Sequence, residues 1–160
     1  HDLWLLPLDG DRKPQLLLGT PAAEVNPHFS PDGRWIAFQS DESGRTEVYV
    51  MPVTGPKTKT QISTMGGEEP LWARNGRELF YLNGNKMMAV DISTQPTLTA
   101  RTPRMLFEGT YVSSPTSTTS YSISEDGQRF LRVQAVQSEP PSTHINIVLN
   151  WLQELKQKAR

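Results

Sequence analysis

A polar turn that returns along the chain limits its fold more than any other feature. PHFSPDGRWIAF (27–38) aligns with PLWARNGRELFY (70–81) and with YSISEDGQRFLR (121–132), each an apolar run, a short polar turn and a second apolar run. Gly33, Gly76 and Gly127 mark the register, 43 and then 51 residues apart. Each copy reads as a hairpin, because aromatic and β-branched side chains suit a pleat and Asp32-Gly33 supplies the positive-φ positions of a reversal. A single hairpin decides little. A hairpin unit returning every 43 residues or so has the length of one four-stranded propeller blade, a unit that buries its apolar face only by stacking on its neighbours.

The remaining segments fall into the same frame. EVYVMPVTG (47–55), KMMAVDIST (86–94) and DLWLLPLDG (2–10) align as third strands, and PQLLLG (14–19), KTQIST (59–64) and PRMLFEG (103–109) follow as short, half-polar fourth strands. The Ser/Thr-rich stretch 113–120 lengthens the second interval, and HINIVLNW (144–151) supplies the last third strand. Asn150 then caps a short helix, with Gln153 in the capping-box position. The expectation is an all-β chain, a β-propeller arc of about three and a half four-stranded blades with a short C-terminal helix. As one propeller-type domain over 1–160 it divides into a half blade (1–24), two blades (25–66 and 67–110), an incomplete blade (111–151) and the terminal helix (151–159). An open arc bares an apolar face at each end, so self-association or the remainder of a larger propeller is expected to cover it.

Thirteen prolines and eleven glycines among short apolar runs agree with many turns and few long helices. A formal charge of −1 gives no one-signed field to gather nucleic acid or anionic lipid. With no cysteine, and with His1, His28 and His144 far apart, neither a thiolate nor a histidine-pair zinc site is expected. The longest apolar stretch, LWLLPL at 3–8, is far below the ~20 residues of a membrane helix, so membrane insertion is not expected. The chain shows no signal peptide, and a start at His1 reads as an internal cut.

FSPDGRWIAFQSDESGRTEVYVMPVTG (29–55) resembles the repeat of TolB-like propellers, also called WD40-like or PD40 repeats: an aromatic, SPDG, an IAF strand, SDxxG and a VYVM strand. The second copy keeps the turn as ARNG (73–76) and the third as SEDG (124–127). The chain as a whole is similar to the C-terminal propeller segment of soil-bacterial proteins that carry a eukaryotic-like Ser/Thr kinase or a winged-helix regulator upstream. That resemblance implies a bacterial sensor or protein-interaction platform, often extracytoplasmic, with no catalytic residue in the propeller itself.

In a propeller the first strand of each blade lines the central channel, so residues just before each turn are the candidate ligand contacts. These are Asn26 and His28, Glu68 and Glu69, and Ser120 and Ser122. Two carboxylates near an imidazole and an amide can hold a cation or a polar peptide end; the same residues also suit a solvated channel wall. Adjacent strand residues face opposite ways, so Glu68 and Glu69 cannot straddle a glycosidic bond. GxSxG is absent, and Asp9-Gly10-Asp11 lacks the further ligands of a calcium loop. The four tryptophans sit where core packing accounts for them, Trp35 and Trp72 between blades. No catalytic residue, metal ligand or cofactor is assigned. The function read from the sequence is a non-catalytic module binding a protein or peptide; the alternative is an accessory propeller gating substrate for a hydrolase or peptidase domain outside these residues.

Overall fold

The computed structural model describes residues 1–111 and 119–134. Thirteen strands run through these residues, and none of them is helical. β1 (Leu3–Leu5) and β2 (Gln15–Leu18) form a two-stranded sheet. β3 (Glu24–Phe29), β4 (Trp35–Ser40), β5 (Glu47–Pro52) and β6 (Thr60–Gln61) form a four-stranded meander in chain order. β7 (Glu68–Trp72), β8 (Glu78–Asn83) and β9 (Lys86–Ser93) repeat its first three strands, and β12 (Tyr121–Ile123) pairs with β13 (Phe130–Arg132). The expected third strand at 144–151 and terminal helix at 151–159 lie outside the described residues.

The outer strand of the third sheet forms where expected, within 103–109, but a second short piece precedes it. Two pieces, β10 (Thr99–Ala100) and β11 (Arg104–Glu108), both pair with β9, one with its end and the other with its start. β9 is eight residues long, and Pro103, which has no N–H to give a ladder, lies in the break between the two pieces.

The turns repeat in detail. Gly33, Gly76 and Gly127 have φ of +68°, +68° and +69°, and each donates its N–H to the carbonyl three residues back. Asp32 does not share the positive φ, so glycine alone carries the left-handed corner. Ser30 Oγ donates to Asp32 Oδ1 at 2.6 Å and accepts the Trp35 N–H at 3.0 Å, while Asp32 Oδ1 also accepts the Arg34 N–H. The Ser30 hydroxyl, followed by the N–H and guanidinium of Arg34, holds the Asp32 carboxyl down at about 2. Ser124 and Asp126 rebuild the same lattice in the third turn. In the second turn Ala73 stands in place of serine and Asn75 in place of aspartate, and only the amide bond to the Arg77 N–H remains.

Both faces of the central strands are buried, which is what stacked sheets require. Along β4 and β5, Ile36, Phe38, Tyr49 and Met51 pack with Leu3 of the first sheet. Their neighbours Ala37, Val48 and Val50 pack on Trp72, Leu79, Tyr81, Val90 and Ile92 of the third sheet. From the far side of that sheet Phe80, Leu82, Met87 and Ala89 meet Tyr121, with Phe130 edge-on to Phe80 at 5.0 Å. Trp72 and half-buried Trp35 thus lie between sheets as expected. Trp4 does not: it is 60% exposed, because it faces away from the second sheet.

Candidate functional site

Each of the first two full inner strands slips register at the same point. β3 loses step with β4 between Val25 and His28, and β7 with β8 between Glu68 and Leu71. Asn26 and Glu69 sit in these bulges with φ of +52° and +53°. Each lies seven residues before its turn glycine, and Ser120 holds the same place before Gly127. A left-handed backbone at a residue other than glycine costs about 1–3 kcal/mol, so compensating contacts are required. A bulge also re-aims the side chain it carries.

Those contacts form a relay from sheet to sheet. Asn26 Nδ2 donates to Gln39 Oε1 at 2.9 Å, and the Glu69 N–H donates to the same oxygen at 2.9 Å. Glu69 Oε2 accepts the Ser120 N–H at 2.5 Å and the Ser120 hydroxyl at 2.8 Å. Tyr121 donates its hydroxyl to the Glu69 carbonyl at 2.8 Å, and His28 Nε2 hydrogen-bonds Thr119 Oγ1 at 2.9 Å. Three sheets therefore meet through polar groups along their inner strands.

Of the residues singled out from the sequence, Asn26, Glu69 and Ser120 are joined in this relay, and His28 reaches the segment beside it. Asn26 and Glu69 are 8% and 5% exposed, His28 and Ser120 half-buried, and Glu68 and Ser122 exposed. Glu68 and Glu69 indeed part to opposite environments. Gln39, Thr119 and Tyr121 were missed, since each depends on pairing between segments that lie apart in the chain. Tyr121 alone left a trace, as the aromatic directly after the aligned Ser120.

The chemistry on offer is hydrogen bonding. Burial holds the His28 imidazole below its ordinary range, so at neutral pH the ring is uncharged and both donates and accepts. Ser120 gives its hydroxyl hydrogen to a carboxylate and not to an imidazole, which is not the arrangement of an activated nucleophile. Among the described residues no group of three His, Asp or Glu side chains is placed to hold a metal ion.

Burial also sets the phenols. Tyr121 is pushed well above 10 by desolvation and then by the Glu69 charge, and Tyr81 to about 12 by desolvation and the charge of Glu47. A phenol whose folded pKa is raised contributes fully below its unfolded value of about 10, and loses that contribution as pH rises toward the folded value. Each should cost about 1.4 kcal/mol per pH unit in that window. Chemical denaturation from pH 9 to 12 should thus show a steep loss above about pH 10. Tyr121→Phe should be about 1 kcal/mol weaker at pH 7, through the lost hydrogen bond, yet lose stability more gently in alkali. An unchanged alkaline slope in the variant would refute the assignment.

No protein-family model matches the chain. Over 81 residues, 49% of this chain, it is 37% identical to tricorn protease homolog 1 of Streptomyces coelicolor, and a second tricorn protease homolog of that organism is 39% identical over 66 residues. The chain spans only 7% and 6% of the length of these two curated relatives. Among solved structures it is similar to one described as TolB, from Agrobacterium tumefaciens, with a TM-score of 0.52 and 18% identity over 67% of this chain and 41% of that one. That likeness concerns the fold.

Proposed function

We propose, from the premise that this chain folds as a TolB-like β-propeller, that it is a non-catalytic binding module of a larger or oligomeric propeller whose inner strands receive a protein or peptide. The observation that carries the reading is the convergence of the two bulged residues Asn26 and Glu69 with Ser120. Strain kept at equivalent points of successive repeats, and spent on aiming polar groups along the inner strands, is a feature of recognition surfaces. Exposed Glu68 and half-buried, neutral His28 border the relay and supply groups that an extended peptide can hydrogen-bond.

The larger or oligomeric context is supported by the first sheet. Trp4 and Leu6 align with Tyr49 and Met51, which are 4% and 0% exposed against the preceding sheet, yet they are themselves 60% and 55% exposed. A further sheet laid on that face would bury them in the same way.

The test uses the purified chain and a fluorescein-labelled random octapeptide pool, read by fluorescence anisotropy. Saturable binding is expected, weakened about tenfold or more, some 1.4 kcal/mol, by His28→Ala combined with Glu68→Ala while the melting temperature is kept. Absence of binding, or binding indifferent to both substitutions, would overturn the proposal.

A second reading has its own support, the similarity to two tricorn protease homologs. There the propeller admits or orients polypeptide for a peptidase domain elsewhere in the same protein. A reading frame that joins this chain to a peptidase would favour it, and a kinase or regulator would favour the first. Peptides should survive incubation with the purified chain under both readings; cleavage detected by mass spectrometry would overturn both.

A further inference from the structure

A cleft of about 940 Å³ opens between the first and second turns, walled by both turns and by the loop that follows β9. None of the inner-strand relay lines it. Its charged groups are unequally engaged. Arg34 grips Asp32 through two nitrogens, at 2.8 and 2.7 Å, and Arg104 holds Glu78 at 2.6 Å and Asp91 at 3.3 Å. Arg101 stands 3.9 Å from Asp91 and is 83% exposed. Arg77 has no carboxylate within ion-pair distance among the described residues.

The repeat explains why Arg77 is uncommitted. It holds the place in the second turn that Arg34 holds in the first, each directly after its turn glycine. The carboxylate that Arg34 grips is replaced there by the Asn75 amide, which still accepts the Arg77 N–H at 2.9 Å but carries no charge for the guanidinium. The backbone function of the turn is preserved and only the ion pair is lost. A planar guanidinium freed in this way favours a carboxylate taken by two parallel hydrogen bonds.

We propose that this cleft between the turns binds a carboxylate-bearing ligand, an acidic peptide segment, with Arg77 as its principal binding residue and Arg101 beside it. The acidic side chains already in the cleft do not defeat this: Arg34 pairs with Asp32, Arg104 is shared by Glu78 and Asp91, and with Arg77 and Arg101 the guanidiniums outnumber the carboxylates by one. The site is separate from the one proposed above and stands or falls without it.

The experiment titrates the purified chain with fluorescein-labelled hexaglutamate, read by anisotropy at low salt, with labelled hexalysine in parallel. Saturable binding of hexaglutamate but not hexalysine is expected. Arg77→Met should weaken it about fivefold or more, and Asn75→Asp, which offers Arg77 an internal carboxylate, should do the same. Asn75→Asp is expected to fold, because aspartate stands at this point in both other turns. Arg74→Met removes an equal charge outside the cleft, where Arg74 pairs with Glu125, and should leave the affinity unchanged. No saturable binding, equal losses in Arg74→Met and Arg77→Met, or an unaffected Asn75→Asp would each overturn the proposal.

Discussion

Phe38→Ala should lower the unfolding free energy by about 3–5 kcal/mol, the usual cost of emptying a large aromatic site in a packed core. Phe38 is wholly buried in the centre of β4 and stacks on Tyr49 with ring centroids 5.9 Å apart. It belongs to the layer where the second sheet meets Leu3, Leu17 and Leu18 of the first. Because the first sheet has only two strands, it depends on this layer more than on its own ladder. Denaturation with urea should therefore show a lower midpoint, and hydrogen exchange should show β1 and β2 losing protection before β8 and β9. A loss below about 1 kcal/mol would mean that the layer is not packed in solution, since even Ile→Val truncations reach that size.

Glu47→Ala should cost about 3 kcal/mol, through hydrogen bonds and not through volume. The Glu47 carboxylate is wholly buried at the start of β5. It accepts the Ser63 hydroxyl, the Gly66 N–H at 3.0 Å and the Arg45 Nε–H at 2.8 Å, and Ser63 Oγ in turn accepts the Val48 N–H at 2.8 Å. Arg45 is exposed enough to turn to water, whereas Ser63 and Gly66 would be left without their acceptor, and bonds to a charged group contribute about 1.5–3 kcal/mol each. The surroundings cannot easily collapse into the gap: a Cβ at Gly67 would already lie 2.3 Å from Ser63 Oγ. Glu47→Gln keeps an acceptor and should recover part of the loss. A Glu47→Ala protein as stable as the parent in urea would show that water replaces the carboxylate at no cost.

The inner relay and the Glu47 network differ in how far they could be foreseen. Asn26, Glu69 and Ser120 were legible because repetition aligns them, seven residues before three successive glycines. Their partner Gln39 lies on β4 with nothing in its local pattern to mark it, and the same holds for Glu47 and Ser63, which read as the ordinary start of a third strand and part of a half-polar fourth strand. Buried polar residues look like surface ones in a sequence, since what separates them is the partner, and the partner comes from another segment.

The sequence by itself determined the unit and its repetition: strands from alternating apolar residues, turns from glycine at a fixed interval, and hence an all-β chain of stacked sheets. These are local properties, set by backbone sterics and side-chain pattern within a few residues. Only the tertiary structure decided the bulges that leave Asn26 and Glu69 with positive φ, the splitting of the outer strand on β9, the burial of Glu47 and the exposure of Trp4. Each of these depends on which sheet lies opposite, and a hydrogen bond or an apolar contact between distant segments exists only once the chain has brought them together.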